Sequence, residues 1–145
     1  MIQKGEQNPV LRIFLSLAMG DRAYAHKLLN LLSQRANVRV FTPEKLSAGE
    51  DWQSTLKEEL SNCDIFLVLL SPNSVGSSWV LHELGAAWAM NKLIIPIITH
   101  PEVASRIPLA LAQYEFVEMG DLEQPDFINQ ILARFEETAA SHHGR

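Results

Sequence analysis

Ile65-Phe-Leu-Val-Leu-Leu70 is the most apolar run of the chain, and Ser71-Pro-Asn-Ser-Val-Gly-Ser-Ser-Trp-Val-Leu-His-Glu83 follows it directly. Six consecutive apolar residues that end at Ser-Pro-Asn predict a strand buried on both faces. Ser77 and Ser78 are both favourable N-cap residues, because a side-chain oxygen can accept a hydrogen bond from the first helical turn. The stretch therefore predicts a central strand, a short loop and a helix.

Trp79 and Glu83 are four residues apart, so they share one face of the predicted helix. The helix starts at the carboxyl end of a central strand, which is the edge where open α/β sheets bind ligands. A carboxylate beside an indole is expected to be partly desolvated, which raises its pKa. From the pattern alone, Trp79 is equally explained as an anchor that packs the helix onto the loop.

Strand-like and helix-like segments alternate along the remainder of the chain. The predicted strands cover 10–16, 37–41, 64–70, 92–98 and 114–118. The predicted helices begin with Asp21 as N-cap and near Asp51, cover 78–90, and recur around 127–135, with short helical pieces within 101–113. Pro96 predicts a local irregularity or an unpaired position in the fourth strand. The alternation predicts a flavodoxin-like, three-layer αβα fold with a five-stranded parallel sheet of order 2-1-3-4-5.

The chain has 145 residues, 47% hydrophobic and 20% charged, which fits one folded domain. We expect an N-terminal extension over 1–9, the domain over 10–140 and a loose tail over 141–145. The net charge is −5, without a visible basic patch, so direct nucleic-acid binding is not expected. Cys63 is the only cysteine, which suits a reducing cytoplasm, and no apolar run approaches the ~20 residues that span a membrane.

Other functions of this fold class find little support in the sequence. The turn from Ser16 to Asp21 has one glycine and matches neither of the two standard phosphate-binding loops. A phospho-receiver domain needs an aspartate at the end of its third strand and a lysine after its fifth, and the chain has Leu70-Ser71 and no such lysine. No histidine lies at a recognised metal spacing, and no serine-nucleophile motif is present.

Three segments resemble the TIR (Toll/interleukin-1 receptor) domain family, over about residues 10–118. Arg12-Ile-Phe-Leu-Ser16 with Asp21 resembles the family's first box, a strand that ends in Phe-Ile-Ser-Tyr. Val40-Phe41, Glu44-Lys-Leu-Ser-Ala-Gly49 and Trp52 resemble the second box and its BB loop. Leu69-Leu-Ser-Pro-Asn73, Ser77-Ser-Trp79 and Glu83-Leu84 resemble the segment that carries the catalytic glutamate in enzymatic members, and Ile94-Ile-Pro-Ile97 fits after it.

The resemblance implies cleavage of NAD+ at the nicotinamide–ribose bond, with NAD+ as substrate and no cofactor or metal. It assigns catalysis to Glu83 and substrate contacts to Trp79, Ser16, Phe14, Ser77, Leu46 and Gly49. It also implies a role in immune or defence signalling, self-association that includes the 42–50 loop, and a sensor domain or partner protein as trigger. Hydrolysis to ADP-ribose and cyclisation both stay open.

The sequence departs from the family pattern in three places. Leu17 stands where an aromatic residue is usual, and Ala18 and Met19 replace basic residues of some NAD+-cleaving members, which removes expected phosphate contacts. Thr42-Pro43 stands where an acidic residue is usual. The rival interpretation is a non-catalytic TIR adaptor that acts by assembly, although such adaptors commonly lack the Ser-x-Trp-x-x-x-Glu arrangement kept here.

Overall fold

The computed structural model describes residues 10–35, 37–43, 51–107, 111, 114–120 and 129–136. The strands are β1 (Leu11–Ser16), β2 (Val38–Phe41), β3 (Ile65–Leu70), β4 (Leu93–Ile98) and β5 (Val117–Glu118). The α-helices are α1 (Arg22–Leu32), α2 (Trp52–Asn62), α3 (Ser78–Ala89) and the helical residues 129–136, here called α4. Short 3-10 helices cover Met19–Asp21 and Pro101–Arg106.

The strands form one parallel sheet of order β2-β1-β3-β4-β5, which confirms the predicted fold class and topology. β3 lies at its centre and pairs with β1 from Ile65 opposite Ile13 and with β4 from Ile65 opposite Leu93. Because all strands run the same way, their carboxyl ends meet at one edge of the sheet. Ser16 ends β1 and Ser71 follows β3 at that edge.

Every residue of β3 is buried, and alternate side chains enter different cores. Ile65, Leu67 and Leu69 belong to the core that α1 and α4 cover. Phe66, Val68 and Leu70 belong to the core that α2 and α3 cover. The continuous apolar run is therefore the consequence of helices packed on both faces of a central strand.

Two predicted details of the sheet differ from the structure. β5 is shorter than the predicted 114–118, because Val117 and Glu118 alone pair with Ile97 and Ile98. Pro96 causes no irregularity on the β3 side, where it stands opposite Val68 in an unbroken ladder. On the other side of β4, the pairing with β5 begins only at Ile97. The missing N–H of Pro96 therefore lies outside the pairing of these two strands.

The start of α1 corrects the predicted cap. Asp21 directly precedes the helix, but its side chain accepts no hydrogen bond from the first turn. Its backbone closes the 3-10 turn, with φ −103° and ψ 17°, and is not extended as in a usual N-cap. The carboxylate turns instead towards the loop after β3, where Oδ2 accepts a hydrogen bond from Ser71 Oγ at 3.0 Å.

The other two helix starts follow the usual capping chemistry. Asp51 caps α2 by accepting from Ser54 N at 3.3 Å, and Ser77 caps α3 by accepting from Val80 N at 3.4 Å. Phe127 and Ile128, predicted for the last helix, lie outside the described residues. Within the described ranges, no helix has the length and apolar character needed to cross a membrane.

Candidate functional site

A buried carboxylate lies where the ends of β1 and β3 meet the start of α3. Ser16 Oγ donates a hydrogen bond to Glu83 Oε1 at 2.5 Å, which joins the last residue of β1 to the second turn of α3. Both residues are buried, and Glu83 is 1% exposed. Glu83 thus lies at the sheet edge that the sequence predicts as the ligand-binding edge.

The position of Glu83 on α3 is one that normally carries an apolar side chain. The buried residues of the helix are Val80, Glu83, Leu84 and Ala87, which form a single stripe at helical spacing. Three of these four residues pack into the apolar core between α3 and the sheet. A carboxylate in such a stripe works against folding, so its presence calls for a functional reason.

Burial raises the pKa of Glu83 from the ordinary 4.5 to about 7, and the hydrogen bond from Ser16 opposes that increase. The direction agrees with the prediction made from the neighbouring indole and apolar residues, and burial is the dominant cause. Among the residues that the structure describes, the second oxygen, Oε2, has no hydrogen-bond partner. One carboxylate oxygen therefore accepts a hydrogen bond from Ser16, and the other can accept one from a further donor.

Two further buried polar atoms at this edge also have no partner in the described part of the chain. They are Asp21 Oδ1 and Thr42 Oγ1. Asp21 lies in the turn after β1, and Thr42 directly follows β2. Buried polar atoms in native proteins nearly always have a partner, so their grouping at one edge is a further sign of a binding region.

A polar network fixes the loop that leads into α3. Besides its bond to Asp21, Ser71 Oγ accepts hydrogen bonds from the backbone N–H groups of Asn73 and Ser74. Ser74 Oγ in turn accepts from Ser71 N at 2.7 Å. The turn after β1 and the loop after β3 are thereby tied together, which fixes the direction in which α3 leaves the sheet.

A cleft of about 490 Å³ opens beside these groups. Its lining is mostly apolar and combines the turn after β1, the residue after Thr42 and the start of α3. The described lining residues are Leu17, Ala18, Met19, Arg22, Pro43, Ser77 and Trp79. Glu83 is not one of these lining residues; it lies one helical turn beyond Trp79 on α3, and its partner Ser16 precedes Leu17 in the chain.

The structure distributes the predicted site residues over three environments. Trp79 and Ser77 line the cleft, and Ser16 contacts Glu83. Phe14 lies deeper in the core at 1% exposure, with its ring stacked on Phe66 at a centroid distance of 5.4 Å, so its contact with a substrate stays a prediction. Leu46 and Gly49 lie outside the described residues.

The sequence patterns do not predict two further residues near the cleft, Arg22 in its lining and Trp52 in contact with Trp79. Arg22 begins α1 and is the one basic residue in the described lining of the cleft, although the preceding Ala18 and Met19 carry no charge. The sequence does contain a signal, because the first residue of a helix that follows a strand lies near the sheet edge. Trp52 begins α2, and its ring centroid is 5.8 Å from that of Trp79.

We predict that Glu83→Gln stabilises the fold in a pH-dependent manner. At pH 4 the glutamate is mostly protonated in both the folded and unfolded chains, so its charge costs little. As the pH rises from 4.5 to 7, the unfolded chain loses the proton first and the wild type loses stability. Above pH 7 the expected gain of the variant is about 3 kcal/mol as an upper bound.

Urea unfolding of both proteins between pH 4 and pH 8 measures this difference. Glu58→Gln, on the exposed face of α2, is the matched control and is expected to change little across the range. A stability difference between Glu83→Gln and wild type that is the same at pH 4.5 and pH 8 would contradict the assigned burial cost.

Comparison with known proteins agrees with the architecture. The sequence matches the TIR domain family over residues 13–132. Among curated proteins, none matches it. The TIR domain of the Toll-related receptor TRR-2 from Hydra magnipapillata is similar in structure, with a TM-score of 0.69 and 18% identity, over 86% of this chain and 97% of that one.

Two other solved structures share the fold. The TIR domains of the activated Roq1 resistosome, which recognises the pathogen effector XopQ, have a TM-score of 0.52 and 17% identity over 88% of this chain and 80% of theirs. The 2-desoxiribosyltransferase from Leishmania mexicana has a TM-score of 0.56 and 17% identity over 79% of this chain and 99% of its own. The family match covers most of the chain and the sheet order is the predicted one, so the chain belongs to the TIR domain family.

Proposed function

We propose that this domain cleaves NAD+ between nicotinamide and ribose, with Glu83 as the catalytic residue. The observation that carries the proposal is a carboxylate 1% exposed at a core-facing position, with Oε2 unpartnered among the described residues. A side chain that opposes folding and lies beside a cleft is typical of a catalytic group. Membership of a family that includes NAD+-cleaving enzymes supports the same conclusion.

The chemistry of NAD+ suits a site with a single carboxylate. The nicotinamide ring is cationic in the substrate and leaves as a neutral molecule, so the leaving group needs no proton. Ordinary glycosidases, in contrast, need a second carboxyl group as general acid. Glu83 would hydrogen-bond the ribose hydroxyls and stabilise the positive charge that develops on the ribose ring in the transition state.

The reaction balances with water as the second reactant. The bond between ribose C1′ and the ring nitrogen breaks, and its electron pair stays on nicotinamide. A water oxygen then bonds to C1′ and loses a proton to the medium, which gives ADP-ribose. Attack by the adenine of the same molecule gives a cyclic product instead, and chromatography of the products distinguishes the two.

The lining of the cleft includes two side chains that would suit the nicotinamide ring and the diphosphate of NAD+. Trp79 lines it one helical turn from Glu83 and offers an aromatic face to a planar ring. Arg22 lines the same cleft and offers a fork of N–H donors, which suits the diphosphate. Arg22 would thus replace the phosphate contacts that the family pattern places at the positions of Ala18 and Met19.

Glu83 is 1% exposed and is not a described lining residue of the cleft, so the substrate would reach it only after a local rearrangement. Self-association through the 42–50 loop, which the family resemblance implies, is our proposed cause of this rearrangement. The domain would then act in cytoplasmic immune or defence signalling, where a sensor domain or partner protein drives assembly. The Roq1 resistosome, which recognises a pathogen effector, acts in a comparable setting, but at 17% identity the similarity to it shows the fold alone.

A second candidate function is a TIR adaptor that acts by assembly without catalysis. Leu81 and Trp88, on α3, are exposed apolar side chains, at 39% and 61%, and they line a shallow apolar groove. Exposed apolar groups of this kind favour contacts with another protein. NAD+ that stays intact with concentrated, assembled wild-type protein would favour the adaptor.

We expect Glu83→Gln to lower the rate of NAD+ consumption by at least ~100-fold, because it removes the charge that stabilises the transition state. The measurement is nicotinamide release at high protein concentration. Glu58→Gln, exposed on α2, should retain the wild-type rate. Wild-type activity in Glu83→Gln would remove Glu83 from the mechanism.

The rate should depend on pH through the ionised form of Glu83. We expect kcat/KM to rise with pH and to reach half of its maximum near pH 7, the value to which burial raises the pKa of Glu83 in the free protein. Ser16→Ala removes the hydrogen bond that lowers this pKa, so its profile should move to higher pH. Ser33→Ala, exposed at the end of α1, is the control. An unchanged profile in Ser16→Ala contradicts the role assigned to this hydrogen bond.

Arg22→Gln should raise the KM for NAD+ about tenfold with a small change in kcat, because a charge-assisted contact to the diphosphate is lost. Arg39→Gln is the matched control, since Arg39 is exposed on β2 and lines a separate cleft with Arg12, Glu59 and Cys63. Equal effects of the two substitutions would mean that Arg22 acts only through the net charge.

A further inference from the structure

Arg12 and Arg39 stand side by side near the amino-terminal ends of their strands, away from the edge that carries Glu83. They are partners in the parallel register of β1 and β2, so one strand spacing of about 4.8 Å separates their backbones. Both residues are exposed. Arg12 precedes Ser16 by four residues, which places it roughly 13 Å along β1 from the hydrogen bond to Glu83.

The two arginines share the face of the sheet that α2 covers. Side chains alternate along a strand, and the residues that flank each arginine belong to or pack against the core on the α1 side. These flanking residues are Leu11, Ile13, Val38 and Val40. Arg12 and Arg39 therefore point to the opposite face, beside the end of α2.

A second cleft, of about 220 Å³, brings the two arginines together with the carboxyl end of α2. Glu59 and Cys63 line it from α2 and from the residue that follows the helix. The described lining has no residue in common with the cleft beside Glu83. The arginines thus belong to a separate site at the other end of the sheet.

Within the described ranges, neither guanidinium has a counter-ion. Arg12 contacts Asp64 through its backbone, whose N–H donates to Asp64 Oδ2 at 2.9 Å and whose carbonyl accepts from Asp64 N at 2.7 Å. Glu59 lines the same cleft, but no ion pair joins it to either arginine in this part of the structure. Two adjacent like charges repel each other, and a shared anion would remove that cost.

The groups around the end of α2 preserve this positive charge. Burial raises the pKa of the Cys63 thiol to about 11, so the thiol is protonated at neutral pH and adds no negative charge. Lys92 Nζ donates to Ser61 O at 2.6 Å and to Cys63 O at 2.9 Å. The ammonium group thereby offsets the partial negative charge of the helix dipole, which would otherwise disfavour an anion here.

The local balance of charge is positive, although the chain has a net charge of −5. Three cationic groups and two carboxylates lie around this end of α2, namely Arg12, Arg39, Lys92, Glu59 and Asp64. One positive charge is therefore in excess. This excess favours an anion of modest affinity.

The two guanidinium groups also select the shape of the anion. A single guanidinium can occupy both oxygens of a carboxylate in a bidentate contact. A phosphate group has three oxygens that point in different directions, so two neighbouring guanidinium groups can bind it at once. The cleft volume of about 220 Å³ is several times the ~30 Å³ share of one water molecule, which leaves room for such a group.

We propose that Arg12 and Arg39 form a binding site for a phosphate monoester, with the phosphate oxygens shared between the two guanidinium groups. Glu59, in the same lining, opposes the anion and limits the affinity. The site is separate from the cleft beside Glu83, and its existence does not depend on cleavage of NAD+.

The test is a 1H–15N NMR titration of the full chain with glycerol 3-phosphate and, separately, with inorganic phosphate. Sodium acetate at equal ionic strength is the control for a carboxylate. We expect saturable shifts of the backbone amides of Arg12 and Arg39, with glycerol 3-phosphate at least about tenfold tighter than acetate. The amides of Ala18 and Met19 report any separate binding in the cleft that Arg22 lines.

Charge variants identify the groups that hold the phosphate. Arg12→Gln and Arg39→Gln should each weaken the binding of glycerol 3-phosphate about tenfold. Glu59→Gln should strengthen it about threefold, because a carboxylate no longer competes with the phosphate. Arg106→Gln removes the same charge at an exposed position of the 3-10 helix Pro101–Arg106, and its affinity should stay within about twofold of wild type.

Urea unfolding at equal ionic strength gives a second readout that includes the fold of each variant. Glycerol 3-phosphate should stabilise the wild type and Arg106→Gln, but not Arg12→Gln or Arg39→Gln. Equal affinities for acetate and glycerol 3-phosphate, unchanged affinity in both site variants, or an equal loss in Arg106→Gln would each overturn the proposal. Binding of inorganic phosphate without binding of glycerol 3-phosphate would also overturn it, because the site would then exclude an ester.

Discussion

The hydrogen bond from Ser16 to Glu83 joins the end of β1 to the second turn of α3 and holds a carboxylate among apolar side chains. Val80, Leu84 and Ala87 complete the buried stripe of α3, so Glu83 lies where a leucine would pack without cost. Burial raises the pKa of Glu83 to about 7 and only one of its oxygens has a partner in the described structure. The fold thus buries an ionisable group that has only one hydrogen-bond partner among the described residues, which makes Glu83 a candidate for a functional residue.

The parallel sheet is what brings this group to a cleft. β3 is buried on both faces, which places helices on both sides and the carboxyl ends of β1 and β3 at one edge. The contact between Asp21 and Ser71 ties the connections that follow these strands, so the turn that lines the cleft and the loop that leads to Glu83 are fixed relative to each other. The two carboxylates at this edge, those of Asp21 and Glu83, each accept a hydrogen bond from a serine hydroxyl. The other oxygen of each has no partner among the described residues.

The predictable features are those that depend on local pattern. Apolar runs and their spacing were sufficient for the sheet order, whereas helical spacing alone did not separate the buried Glu83 from Trp79, which is 37% exposed. Asp21 has the residue type and position of a helix N-cap. Its carboxylate instead accepts a hydrogen bond from Ser71, 50 residues away, and local sequence rules cannot predict such a distant partner. Phe14 lies two residues before Ser16 on the same face of β1, and its stacking on Phe66 in the core depends on tertiary packing that no local pattern gives. Arg22 and Trp52 reach the site because helix starts from separate parts of the chain meet at one edge.

A direct measurement of the ionisation of Glu83 tests the central claim, which is that the fold holds this carboxylate at a raised pKa. The measurement is an NMR titration of the 13C-labelled glutamate side chains, in which Glu83→Gln identifies the Glu83 signal by its absence. We predict a midpoint near pH 7 for the Glu83 carboxyl carbon. A midpoint near the ordinary 4.5 would mean that the carboxylate is solvated, and it would contradict the account.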